Sequence, residues 1–127
     1  MTVDTAERPP IDELGLLDTS VVVQLRSLPV DALPAEPQIS AVTLAELTVG
    51  PLVAAAEEER SARQAVLQQA EADFEPIPFD AAAARAFGRV AAALRRAGRK
   101  ATARSYDVMI AATAIANRLP LYTANPH

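Results

Sequence analysis

Three carboxylates in this 127-residue chain stand where acid chemistry is plausible: Asp18, Glu46 and Asp107. Asp18 ends a short apolar run over residues 14–17 and is followed by Thr19 and Ser20, ahead of a second apolar stretch over 21–25. Hydroxyl residues just before an apolar stretch are helix N-caps, so this segment reads as strand, tight turn, helix, with Asp18 at the carboxyl end of the strand. Glu46 lies four residues after Val42 and three before Val49, on a stripe shared with apolar residues that a helix would turn toward a sheet. Asp107 stands just ahead of the nearly apolar run 108–116. Taken singly, each acid has an ordinary structural reading: a turn residue at Asp18, an Arg partner at Glu46, a charge favoured by a helix N-terminus at Asp107. An acid on a core-facing stripe is costly unless paired, protonated or bound to a cation, and three brought together without a cation repel. A hard divalent ion, Mg²⁺ or Mn²⁺, resolves the conflict. It takes carboxylate oxygens plus several waters, and can activate water and stabilise the leaving oxygen of a phosphodiester.

Composition removes the competing chemistries. There is no Cys, and the single His is His127. Thiolate nucleophiles, disulfides, Cys-rich zinc sites, a Ser/His/Asp triad and an imidazole base therefore drop out. Carboxylates, hydroxyls, Arg, the lone Lys100 and an oxygen-held metal are what is left. The length suits one domain with one core, and half the residues are hydrophobic, too many for a disordered chain. No apolar stretch approaches the ~20 residues that span a bilayer, and the N-terminus lacks a basic start with an apolar segment behind it, so a cytoplasmic protein away from the membrane is expected.

The elements that must position the acids follow from turn residues and periodicity. Residues 1–13 read as a flexible leader and 14–127 as a single domain. Strands are expected at 14–17, 38–40, 74–79 and 121–123; Pro76 and Pro78 confine the third to a sheet edge or shorten it. Helices are expected after Asp18, over 42–49 with a stop near Gly50 and Pro51, over 54–72, from Asp80 as cap to near Gly98, and over 104–118. Strands alternating with helices imply a parallel sheet covered on both faces, with ligands gathering at the carboxyl ends of the strands.

The net charge of −4 conceals a division. From Ala81 to Tyr106 there is no acid at all, while Arg85, Arg89, Arg95, Arg96, Arg99, Lys100 and Arg104 contribute +7, which leaves −11 for everything else. Such a stretch beside Asp107 suits contact with phosphates, with salt-sensitive affinity; the alternative is a solvated helix face. Tyr106 and Tyr122, the aromatics with hydroxyls, could stack on a base or fill the core.

Four blocks carry a family resemblance. They are Leu16-Leu17-Asp18-Thr19-Ser20-Val21; Ile39-Ser40-Ala41-Val42-Thr43-Leu44-Ala45-Glu46-Leu47 followed by Gly50-Pro51; Asp107-Val108-Met109-Ile110-Ala111-Ala112-Thr113-Ala114; and Leu121-Tyr122-Thr123-Ala124-Asn125-Pro126. In order and spacing they resemble the successive blocks of PIN-domain proteins, most closely the VapC-type toxins of bacterial toxin–antitoxin pairs. The resemblance implies a three-layer α/β/α fold with a short, mainly parallel twisted sheet. It implies a metal-dependent endoribonuclease that cuts structured RNA, tRNA or rRNA, is neutralised by a cognate antitoxin and forms a homodimer, with apolar helix surface around 52–70 as a contact.

Carried over by residue, Asp18, Glu46 and Asp107 would ligate Mg²⁺ or Mn²⁺, with Asn125 as a fourth catalytic position. Thr19, Ser20 and Thr123 would orient ligands or their waters, and Arg95, Arg96, Arg99, Lys100 and Arg104 would meet RNA or antitoxin. Family members usually continue past the position of His127 with an Asp-Phe pair and a last strand, so a missing or truncated C-terminal strand is expected. A receiver domain is disfavoured because Asp18 stands alone and Lys100 lies between helices, and a DxDxT phosphotransferase because Ser20 takes the second Asp position. A catalytically weak PIN scaffold serving as a protein-interaction module stays open, since it would carry the same acids.

Overall fold

The computed structural model describes residues 13–99 and 105–124. The expected leader, apart from Glu13, therefore lies outside the described residues, as do Lys100, Arg104 and Asn125. Strand β1 spans Leu14–Leu17, and Asp18 caps α1, Thr19–Val22. Two 3₁₀ turns, Leu25–Ser27 and Val30–Ala32, lead through the Pro-rich loop to β2, Glu36–Gln38. Helices α2, Ala41–Val53, and α3, Glu57–Asp73, follow. The chain closes with α4, Ala81–Arg96, α5, Ser105–Ala116, and β3, Leu121–Tyr122.

The strands lie in the order β2-β1-β3, all parallel. The expected strand over 74–79 is reduced to one parallel bridge, in which Ile77 accepts from the Ala41 N–H at 2.8 Å and donates to Ile39 at 2.9 Å. Prolines on both sides of Ile77 have no N–H to give, which limits the pairing to one residue at the edge. The second strand lies slightly earlier than expected, at 36–38, because Ser40 serves as the N-cap of α2 and accepts from the Thr43 N–H at 3.0 Å.

Adjacent residues of β1 point to opposite faces, and this places two cores. Leu17, with Val21, Val22, Ile39, Leu47, Leu67 and Ala70, forms one cluster under α1 and α3. Leu16, with Val42, Ile110 and Ala114, forms the other between α2 and α5. Helices on both faces make the three-layer α/β/α arrangement.

Helix α2 departs from expectation in two ways. It runs through Gly50 and Pro51 to Val53 rather than stopping at 49. Pro51 sits in the last turn, where little helix remains to disrupt, and the Gly50 carbonyl accepts from Arg63 Nη1 at 2.9 Å. The buried stripe of α2 is Val42, Thr43, Leu47 and Pro51, whereas Val49 is exposed. Glu46 thus lies at the margin of the buried face and not in its middle.

Helix α4 faces inward with Ala83 and Ala86, and its Phe87 meets Phe79 edge-on with ring centroids 6.4 Å apart. Helix α5 ends where Arg118 adopts φ 57°, in the left-handed region, and the Leu119 N–H turns back to the Ala114 carbonyl at 2.9 Å. That closure delivers the chain into β3, with Leu16 donating to Pro120 and Asp18 to Tyr122. The Tyr122 ring lies across Gly15, where a Cβ would collide with it, so Tyr122 fills the core.

Candidate active site

All three acids are one step from the same buried cluster. Asp18 is two residues past Leu16 and shares its sheet face, Glu46 is one helical turn past Val42, and Asp107 is one turn ahead of Ile110. Leu16, Val42 and Ile110 touch. The core contact therefore assembles the strand and two helices that bear the acids at one end of the sheet.

At Asp18 the chain leaves β1 in extended conformation, and the carboxylate caps α1. Its Oδ1 accepts from the Val21 N–H at 3.3 Å and from the Ser20 hydroxyl at 2.5 Å. Ser20 Oγ in turn accepts from the Ala124 N–H at 3.0 Å. The turn after β1 is thereby tied to the backbone just past β3. Asn125 would follow directly but lies outside the described residues. Thr123, exposed, stands between the two backbone groups that bond to Asp18 and Ser20.

Glu46 is held from the same turn. Its Oε1 accepts from the Thr19 hydroxyl at 2.5 Å, and Thr19 Oγ1 also lies 3.1 Å from Thr43 Oγ1. Among the described residues, no donor reaches Asp18 Oδ2 or Glu46 Oε2, so each half-buried acid keeps one oxygen for another ligand. Asp107 is exposed in the first turn of α5 beside Tyr106, itself 45% exposed. Among the described residues, no three acids are gathered closely enough to hold an ion by themselves. The structure brings Asp18, Thr19, Ser20 and Glu46 into one bonded corner and leaves Asp107 as a separate arm. Thr43 and Ser40, both fully buried, belong to this corner and were missed in the sequence. The signal available was their spacing, 40, 43, 46, polar residues every third position of an otherwise apolar helix start.

The acids do not line the 510 Å³ cleft bordered by Val22, Arg26, Val66 and Phe74 between α1 and α3. The basic surface lies on α4. Arg85, Arg89, Arg95 and Arg96, with Arg99 just beyond, are exposed, and none is in an ion pair among the described residues. Helix α4 packs along α5, the element that carries Asp107.

Residues 15–127 match the PIN domain. The chain belongs to the PIN-domain family, and its parallel three-strand sheet with helices on both faces matches the fold of solved structures of that family. Within the family it is of the VapC type: it is 40% identical over 112 residues to Ribonuclease VapC5 of Mycobacterium tuberculosis, covering 86% of this chain and 81% of that protein. Among solved structures it resembles VapBC-5 of the same organism, with a TM-score of 0.76, 39% identity and coverage of 86% and 82% of the two chains. It also resembles a DNA-bound VapBC from Salmonella typhimurium, with a TM-score of 0.70, 27% identity and coverage of 88% and 87%.

Proposed function

We propose that this protein is a divalent-metal-dependent endoribonuclease toxin, neutralised by a cognate antitoxin. The observation that carries this reading is the bonded corner that holds Asp18 and Glu46, with one oxygen of each reached by no donor among the described residues, while Asp107 stands on a helix packed on the same buried cluster. The donor set suits Mg²⁺ or Mn²⁺: hard carboxylate oxygens, no thiolate or imidazole, and an open arrangement that leaves room for the waters such ions keep. When bound, the ion supplies activation of water and stabilisation of negative charge at the scissile phosphate. Asp18 and Glu46 hold their carboxylates in place through Ser20, the Val21 N–H and Thr19. Asp107 offers its carboxylate from a free first turn. Asn125 and Thr123 complete the site from the chain after β3.

The exposed arginines of α4, with Lys100 and Arg104, bind the phosphates of a structured RNA, tRNA or rRNA, and an antitoxin tail competes for the same groove. Dimerisation uses the end of α2, where Val49, Leu52 and Val53 are 43%, 79% and 65% exposed. No helix among the described residues is long and apolar enough to cross a membrane, and the cytoplasm is where such a nuclease meets its RNA.

The test is cleavage of total RNA with Mg²⁺ or Mn²⁺ and growth arrest on expression without a partner. Asp18→Ala, Glu46→Ala and Asp107→Ala should each abolish both. Equal inactivity of wild type and variants, with antitoxin binding retained, would replace the nuclease by the protein-interaction scaffold.

A further inference from the structure

Three hydroxyl groups run in series beneath the site. Ser40 Oγ lies 3.4 Å from Thr43 Oγ1, Thr43 Oγ1 lies 3.1 Å from Thr19 Oγ1, and Thr19 Oγ1 lies 2.5 Å from Glu46 Oε1. Each hydroxyl carries one proton, and an ionised carboxylate only accepts. The proton of Thr19 therefore goes to Glu46, that of Thr43 to Thr19, and that of Ser40 to Thr43.

We propose that Thr43 is a positioning residue, which through Thr19 fixes the rotamer of Glu46 and couples it to the turn that bears Asp18. Helix capping does not account for it. The cap of α2 is complete with the Ser40 oxygen on the Thr43 N–H, a bond that any residue at 43 would make. Thr43 is fully buried, and Val would fill the same space without desolvating a hydroxyl. A buried hydroxyl whose oxygen also meets the residue beside Asp18 is explained by what it orders. Glu46 and Asp18 sit on different elements, α2 and the end of β1, and Thr19 is the residue through which their positions are linked.

The consequence for metal binding rests on the nuclease reading; the positioning itself does not. The experiment compares wild type with Thr43→Val, Thr19→Val and Thr43→Ser, by crystal structures, by Mn²⁺ titration calorimetry and by kcat and KM on RNA. Thr43→Val should bind Mn²⁺ about tenfold more weakly, the lower end of what loss of a partner behind a ligand does. Thr19→Val should lose more, and Thr43→Ser should recover to within about twofold of wild type. The loss should fall on kcat, with KM for RNA unchanged, because the arginines that bind phosphate are elsewhere. In the crystals, Glu46 should leave Thr19 in Thr43→Val and stay in Thr43→Ser. Wild-type Mn²⁺ affinity in Thr43→Val with Glu46 still on Thr19, or a Ser variant as impaired as Val, would overturn the proposal. Should Thr43→Val fail to fold, Thr19→Val and Thr43→Ser decide it by the same measurements. If wild type bound no Mn²⁺, the nuclease reading would fall, and the position of Glu46 in the crystals would decide the positioning role by itself.

Discussion

The two halves of the candidate site are built differently. In the corner formed by the β1–α1 turn and α2, every acid is tied down: Asp18 by Ser20 and the Val21 N–H, Glu46 by Thr19, with Thr43 and Ser40 buried behind them. On the α4–α5 side, Asp107 is exposed, and the arginines have no acidic partner among the described residues. The first half is fixed before any ligand arrives. The second leaves its charges exposed to water. In such a division the fixed half supplies geometry and the open half supplies attraction, and substitutions should divide the same way.

The largest effects separate the halves by stability rather than by activity. Asp18→Ala and Asp107→Ala should each reduce RNA cleavage about 10³-fold, since each removes charge stabilisation worth several kcal/mol. Only Asp18→Ala should also lower thermal stability, by about 1 kcal/mol, because it removes a helix cap. A matching loss in Asp107→Ala, read by calorimetry, would show that the open arm is as structured as the corner. Gly15→Ala comes next, at about 2 kcal/mol of stability, since the new methyl would drive the Tyr122 ring out of its place beside β1. An undiminished melting temperature would mean that the fixed half tolerates repacking. Replacing Arg95, Arg96 and Arg99 together should weaken RNA binding and reduce the slope of log K against log salt by about 2, with the fold unchanged. An unaltered slope would return these arginines to a plain solvated face. Smallest, Glu46→Gln should retain the Thr19 bond through the amide oxygen, keeping stability within about 0.5 kcal/mol while cleavage is lost. A large stability loss would mean that the charge itself holds the corner together.

Much of the fold was legible in local signals. β1 ends at Leu17 as expected, Asp80 caps α4, and Asp18 closes its strand, because caps and apolar runs act over a few residues. The strand expected around Ile77 shrank to a single bridge because its prolines withhold donors, a limit that was also visible. The extension of α2 through Pro51 was not visible, since it is Arg63, from the next helix, that satisfies the Gly50 carbonyl. Val49 was misplaced for a similar reason. Periodicity counts apolar positions around a helix but does not say which of two adjacent stripes the sheet will cover, and Val42, Thr43 and Leu47 won.

The sequence by itself narrowed the chemistry: without Cys or internal His, carboxylates, hydroxyls, Arg, the lone Lys100 and an oxygen-held metal were what was left, and residue types alone decide that. It also determined that the basic charge gathers in one stretch beside Asp107. Only the tertiary structure decided which acid each hydroxyl meets. Thr19 and Glu46 are 27 positions apart, and Ser20 and Ala124 are 104 apart. Contacts over such separations arise when α2 and α5 pack with β1 on the Leu16 cluster and β3 pairs with β1, and no local pattern encodes them.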